Sequence, residues 1–233
     1  MNPFLLQIPT DTLPDLTALA ADASVESGMS FFDMALKGGW IMIPIVLLFI
    51  VAIYIFIERC IALSQASKED PNFMFRIKDC LREGNIDSAL RLCDKTDTPA
   101  ARMIEKGISR LGRPMSDVQV AIENLGNIEV ARLEKGLSFM AAISGGAPML
   151  GFLGTVLGMV RAFYDMASAG NNVDITLLSS GIYTAMVTTV AGLIVGVCAY
   201  FAYNFLVARV SSVVSRMETR TMEFLDILNE PSE

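Results

Sequence analysis

Residues 175–208 read ITLLSSGIYTAMVTTVAGLIVGVCAYFAYNFLVA, 34 positions with no charged side chain, and Arg209 follows at once. As a helix rising 1.5 Å per residue the run would be roughly 51 Å long, against roughly 30 Å for the hydrocarbon core of a bilayer. It therefore reads as a membrane span, near 177–203, that continues past the headgroups into the tail. Two further windows, 136–160 and 38–57, are equally free of charge. The remaining charge lies in blocks between them, which predicts three spanning helices.

Composition supports this reading. The chain has 233 residues, of which 53% are hydrophobic and only 18% charged, a balance outside the range of a soluble domain. The fold class expected is all-α: a polytopic membrane protein with three transmembrane helices, whose long helices extend into a cytoplasmic helical domain. A net charge of −7 excludes nucleic acid as a partner, because neutralising phosphates requires clustered Lys and Arg. With no histidine and four cysteines (Cys60, Cys80, Cys93, Cys198) in no CxxC spacing, neither a metal site nor any cofactor is expected. No nucleophile constellation points to an enzyme.

Orientation follows from the basic residues. Of 18 Lys and Arg, all but Lys37 and Arg161 fall within 59–135 or 209–220, so the positive-inside rule places those stretches in the cytoplasm. The N-terminus is then periplasmic and the C-terminus cytoplasmic. Residues 1–28 read as an acidic periplasmic tail, retained because no basic residue precedes Lys37 to form a signal peptide. Residues 29–38 fit an interfacial amphipathic helix. Trp40 marks the outer headgroups. The first span covers 39–57, with Pro44 in its opening turn, and ends at Glu58-Arg59, where charge returns. The cytoplasmic domain covers 58–135, the second span 136–168, a periplasmic turn with Asn171-Asn172 covers 169–175, the third span 176–205 and a cytoplasmic helix 206–233.

Within the cytoplasmic domain the start and stop signals are legible. Asp70-Pro71 and Thr98-Pro99 each place a capping side chain before a proline, and Gly84 and Gly112 are stops. A short helix fits 86–93. Ser116 and Gln119 form a capping-box pattern, and the helix it opens is expected to run unbroken from Ser116 to Ala167 as a stalk of roughly 78 Å.

The spans are unusual for what they carry. Gly151, Gly154, Thr155 and Gly158 fall at i, i+3, i+4 and i+7, on one helical face of span two. Span three answers with Gly181, Ala185, Thr189, Gly192 and Gly196, and both contain GxxxG, a pattern that lets helices approach closely in lipid. Thr176, Ser180, Thr184 and Thr188 recur every fourth residue along span three, with Thr155 and Thr189 at similar depth. A lone threonine in a span ordinarily bonds its own helix. A stripe of them can instead hydrate a narrow lumen. Asp, Glu and His are absent at depth, and Arg161 and Asp165 at the outer end of span two are placed to pair. A titrating carboxylate, if protons move here, must come from another chain.

The runs Gly151-Phe-Leu-Gly-Thr-Val-Leu-Gly158 and Gly181-Ile-Tyr-Thr-Ala-Met-Val-Thr-Thr-Val-Ala-Gly-Leu193, with Glu58-Arg59 closing span one, resemble the MotA/TolQ/ExbB proton channel family, most closely its ExbB members. The resemblance covers roughly residue 29 to the C-terminus. It implies an inner-membrane stator: a homo-oligomer of five copies around an ExbD/TolR-like single-span protein, passing work to a TonB-like protein for outer-membrane transport. It implies lumen-facing threonines at Thr155 and Thr189, and Thr184, Thr188 and Ser180 extend that candidate pathway. ExbB and TolQ relatives commonly carry glutamate where this chain has Thr184, so hydroxyls and water would bridge there. Gly151, Gly154, Gly158, Gly192 and Gly196 are assigned to helix packing, and Glu58 and Arg59 to the membrane boundary. A TolQ-like envelope-maintenance role and a purely structural membrane scaffold are the rival readings.

Overall fold

A computed structural model describes residues 39–68, 70–168 and 175–229. The expected tail at 1–28, the interfacial helix at 29–38, the turn at 169–175 apart from its last residue, and the final residues 230–233 lie outside the described residues. What is described is helical throughout: α1 Met42–Ala66, α2 Phe73–Arg82, α3 Ile86–Thr96, α4 Pro99–Ile108, α5 Met115–Glu134, α6 Leu137–Ser168 and α7 Ile175–Asn229. Three stretches are long and apolar enough to cross a membrane: α1, the α5–α6 pair and α7.

The longest element, α7, has 55 residues, roughly 82 Å of helix, and crosses far more than a bilayer. Its buried side chains Leu206, Val210, Val213, Met217 and Phe224 recur at helical spacing, so one stripe faces the core well beyond the uncharged run. Phe224 is fully buried, and its ring lies against Gly107 of α4, where an added methyl would come within 2.5 Å of the ring. The far end of α7 is thus docked on the helical cluster formed by α2 to α5. Ile77, Ala101, Ile104, Ile108 and Ile122 complete that cluster's core.

The expected unbroken stalk is two helices. Between α5 and α6 the chain makes a two-residue interruption at Lys135-Gly136, with Gly136 at φ +87°, a left-handed conformation that glycine adopts without the clash a Cβ would bring. Beside it runs α1: the Ile55 methyl and the Arg59 guanidinium lie about 3.4 Å and 3.9 Å from where a Gly136 Cβ would be. As the first residue of an uncharged window, Gly136 carries no local sign that it breaks the helix.

Three caps also differ from expectation. Helix α2 starts at Phe73 after Asn72, because Asp70 turns its carboxylate to the Asn72 amide at 3.0 Å and to Arg76. Pro114 occupies the cap of α5, so Ser116 falls inside the first turn and Gln119 bonds Glu123 at 2.9 Å instead of reaching back. Helix α3 runs on to Thr96, three residues past the expected end. The Thr98 cap, accepting from the Ala101 amide at 3.3 Å ahead of Pro99, and the stop at Gly84 match the sequence signals, whereas α4 ends at Ile108 with Ser109 as its cap, and Gly112, at φ +87°, turns the chain beyond it.

Candidate functional site

Helices α6 and α7 meet along a seam of small residues. A methyl on Gly192 would stand 2.6 Å from the Ala147 carbonyl oxygen and 2.9 Å from the Gly151 Cα, and one on Gly151 would stand 3.0 Å from the Thr188 carbonyl oxygen. Backbone therefore touches backbone. Toward one end Gly158 faces Ala185 and Gly181 faces Ala162. Toward the other, Gly196 packs on the ring of Pro148, whose missing amide removes one helical bond from the carbonyl of Ser144. In lipid no hydrophobic force drives helices together, so close dispersion contact of this kind must supply the association.

The five hydroxyls singled out from the sequence fall into three environments. Thr188 is buried at 2% exposure directly over Gly154, its hydroxyl donating to the Ala185 carbonyl at 2.7 Å. Thr189, half-buried, reaches across the seam and donates to the Gly151 carbonyl at 3.0 Å. Thr155 and Thr184 are half-buried and Ser180 is exposed. Thr155 donates to the Phe152 carbonyl at 2.6 Å, which leaves its oxygen free to accept. Arg161 and Asp165 are both exposed, and no ion pair joins them among the described residues. Outward-facing side chains such as Met149, Phe152, Val160 and Tyr164 present a broad apolar surface to lipid or to another chain.

A second charged arrangement lies where α1 leaves the uncharged window. Glu129 of α5 is 1% exposed, and its carboxylate is held by a fork from Arg102 of α4, Nη2 to Oε2 at 2.7 Å and Nε to Oε1 at 3.2 Å, and by Arg132 Nη1 at 2.8 Å. Arg102 also holds Asp97 at 2.6 Å. Arg59 of α1 donates to the Arg132 carbonyl at 3.2 Å and pairs with Glu58 at 2.5 Å. The hydrogen bond to Glu129 holds the Arg102 guanidinium above its ordinary value against the opposing effect of burial. The sequence marks Arg59 as a boundary residue but gives no sign of its tie to α5. The i, i+3 spacing of Glu129 and Arg132 is a readable signal, whereas Arg102, 27 residues earlier, is not.

Residues 95–219 match the MotA/TolQ/ExbB proton channel family, a stretch that runs from the end of α3 through the seam and into the tail of α7. The chain belongs to this family. Among its relatives, a putative biopolymer transport protein ExbB homolog of Methanothermobacter thermautotrophicus is 28% identical over 64% of this chain, and the match spans 52% of that protein's length. The biopolymer transport protein ExbB of Neisseria meningitidis is 26% identical over 71% of this chain and 80% of its own. The Tol-Pal system protein TolQ of Haemophilus influenzae is 31% identical over 44% of this chain and 45% of its own. This MotA/TolQ/ExbB family chain is a multi-pass membrane protein, and the seam of α6 and α7 lies wholly within the matched region.

Proposed function

We propose that the chain is the ring-forming subunit of an ExbB-like proton-driven motor in the inner membrane. Five copies enclose an ExbD-like single-span partner, the partner's carboxylate titrates, and the work is passed to a TonB-like protein. The observation that carries this reading is the Thr155 hydroxyl, half-buried on α6 with an acceptor oxygen to spare, in a pair of spans that hold no Asp, Glu or His at depth. A hydroxyl can solvate a carboxylate in either protonation state without trapping it in an ion pair, which suits a site that must release its guest each cycle. Thr184 and Thr189 extend the same uncharged lining, and Ser180 and Thr188 flank it.

The test is proton flux into proteoliposomes carrying this chain with its single-span partner, with assembly followed separately by cross-linking. Thr155→Ala lowers flux on the order of tenfold, the factor for one hydrogen bond of about 1.4 kcal/mol, while assembly is unchanged and Thr155→Ser restores the flux. Full flux in Thr155→Ala would leave the scaffold reading standing. Thr184→Glu, which installs the acid common in ExbB and TolQ relatives, keeps flux if Thr184 faces the lumen and loses assembly if it lies in a packed interface. The match to TolQ of Haemophilus influenzae favours a second assignment within the same mechanism, an envelope-maintenance motor with a TolR-like partner.

A further inference from the structure

Between α1 and α7, on the side of the membrane where the basic residues gather, lies a cavity of about 350 Å³. Cys60, Leu63 and Ser64 of α1 and Ser67, which caps it, line one wall at i, i+3, i+4 and i+7, and Phe205, Leu206, Arg209, Val213 and Arg216 of α7 line the other, with Lys68 beside Ser67. Three cations and two hydroxyls thus converge with no acid among the lining residues. Arg216 Nη2 donates to Ser67 at 2.6 Å, fixing the two walls together, and the Arg209 guanidinium lies over the Phe205 ring at 5.3 Å. None of the three cations takes part in an ion pair among the described residues.

The cavity is also graded. Its upper wall is apolar, and the surface leading up from it along the two helices, Ile57, Phe201 and Phe205, is exposed and hydrophobic. Arg209 is the first charge after the uncharged run of α7, so the cationic end sits at headgroup depth. We propose that this cavity binds the phosphate headgroup of an anionic phospholipid, with Lys68, Arg209 and Arg216 around the phosphate and an acyl chain lying along the apolar surface above. A free phosphate would satisfy the cations and leave that apolar approach unused. The site stands apart from the seam of α6 and α7 and does not depend on proton conduction.

The test uses the full chain, delipidated and returned to nanodiscs of phosphatidylcholine containing a minor fraction of phosphatidylglycerol, with lipid retained on extraction counted by mass spectrometry. Wild-type protein retains phosphatidylglycerol selectively. Replacing the three cations together, Lys68→Gln, Arg209→Gln and Arg216→Gln, lowers that selectivity on the order of a hundredfold, since each basic group near an anionic surface is worth about a factor of five. The single change Arg209→Gln, about fivefold by the same measure, decides the matter if the triple variant does not fold, and Arg209→Lys retains binding. The exchange Lys106→Gln with Arg110→Gln, on α4 and the turn after it, leaves selectivity intact. Unchanged retention in Arg209→Gln and the triple variant overturns the proposal. So does equal thermal protection by inorganic phosphate alone, which would make the site one for a soluble anion. Loss of the oligomer in Arg209→Gln with lipid retention unchanged overturns it too, by giving the cavity to a neighbouring copy.

Discussion

The seam of α6 and α7 and the junction of α1, α4 and α5 solve the same problem, holding helices together, with opposite materials. At the seam the contact is made by the absence of side chains: Gly151 and Gly192 bring backbone against backbone, and Thr189 reaches across it to the Gly151 carbonyl. At the junction the contact is made by large side chains and charge, with Glu129 held by Arg102 and Arg132 between helices α4 and α5, whose Ile104 and Ile122 are fully buried. The difference follows from the solvent. Lipid gives no reward for hiding apolar groups, so fit alone must hold the seam, whereas water drives the junction's apolar groups inward and leaves room for a paired acid. A fit without slack tolerates no added atoms, and a buried charge tolerates no lost partner.

The sharpest way to break that contrast is to add bulk at the seam. Gly192→Leu places a side chain where backbone atoms already stand 2.6 Å and 2.9 Å from the first carbon, and neither atom belongs to a flexible side chain that could withdraw. The native pairing of α6 with α7 is lost, read as collapse of protease resistance in detergent. Gly145→Ala, on the same helix α6 with nothing within 4 Å of the added carbon, is neutral or stabilises by up to about 1 kcal/mol through helix propensity. Equal behaviour of the two variants would show that the seam is not a rigid contact.

At the junction the corresponding break is a deletion. Glu129→Ala leaves Arg102 and Arg132 without the buried carboxylate that joins them and costs about 3 kcal/mol, the lower end for a broken buried pair, because Arg102 keeps Asp97 and is one-third exposed. Arg132→Ala, whose side chain is 65% exposed, costs less than half as much. Thermal unfolding of the two variants side by side decides this. A smaller loss for Glu129→Ala than for Arg132→Ala would remove the carboxylate as the organising group.

The same two regions show what a sequence can disclose. The seam is legible because its signal is local: glycines at i, i+3 and i+7 on one helix and a matching row on the next specify a close contact from spacing alone. Uncharged windows disclose the spans for the same reason. The junction is half legible. Glu58-Arg59 can be placed at a boundary, but that Arg59 binds the carbonyl of Arg132, 73 residues on, depends on how α1 lies beside the break at Gly136. That break is itself hidden, since a glycine at the edge of an apolar window reads equally as a packing residue or as a hinge, and only the observed φ of +87° distinguishes them. Of the hydroxyls, Thr155 and Thr189 are assigned to a lumen by the family resemblance, and spacing sets only Ser180, Thr184 and Thr188 on one stripe. It does not show that Thr188 lies under Gly154 within one chain while Thr155 remains half-open.

A finer test asks how much the cross-seam hydrogen bond adds to the fit. Thr189→Val keeps the shape and removes the donor to the Gly151 carbonyl, a bond worth about 0.6 kcal/mol on average between membrane helices and up to about 1.7. The melting temperature in detergent falls slightly and the pairing survives. A loss as large as that from Gly192→Leu would mean that hydrogen bonding, not fit, holds the helices.

The smallest effect belongs to the helical cluster and is silent at neutral pH. Cys93 of α3 is 1% exposed, and burial first, then the nearby Glu105 and Cys80, push its thiol from 9.0 to about 12. The folded protein therefore keeps the proton at a pH where the unfolded chain gives it up. Stability from this group is fully present below 9.0 and declines as the pH climbs from 9.0 toward 12, because there the unfolded state binds fewer protons than the native one. Wild type and Cys93→Ala accordingly differ by a constant margin in melting temperature below 9.0, and the margin narrows above it as only the wild type sheds the Cys93 proton on unfolding. The comparison cancels lysine and tyrosine titrations, which both proteins share. A margin that holds constant through alkaline pH would mean that water reaches Cys93 in the folded state, and that the cluster lacks the dry core that distinguishes it from a seam held by backbone contact.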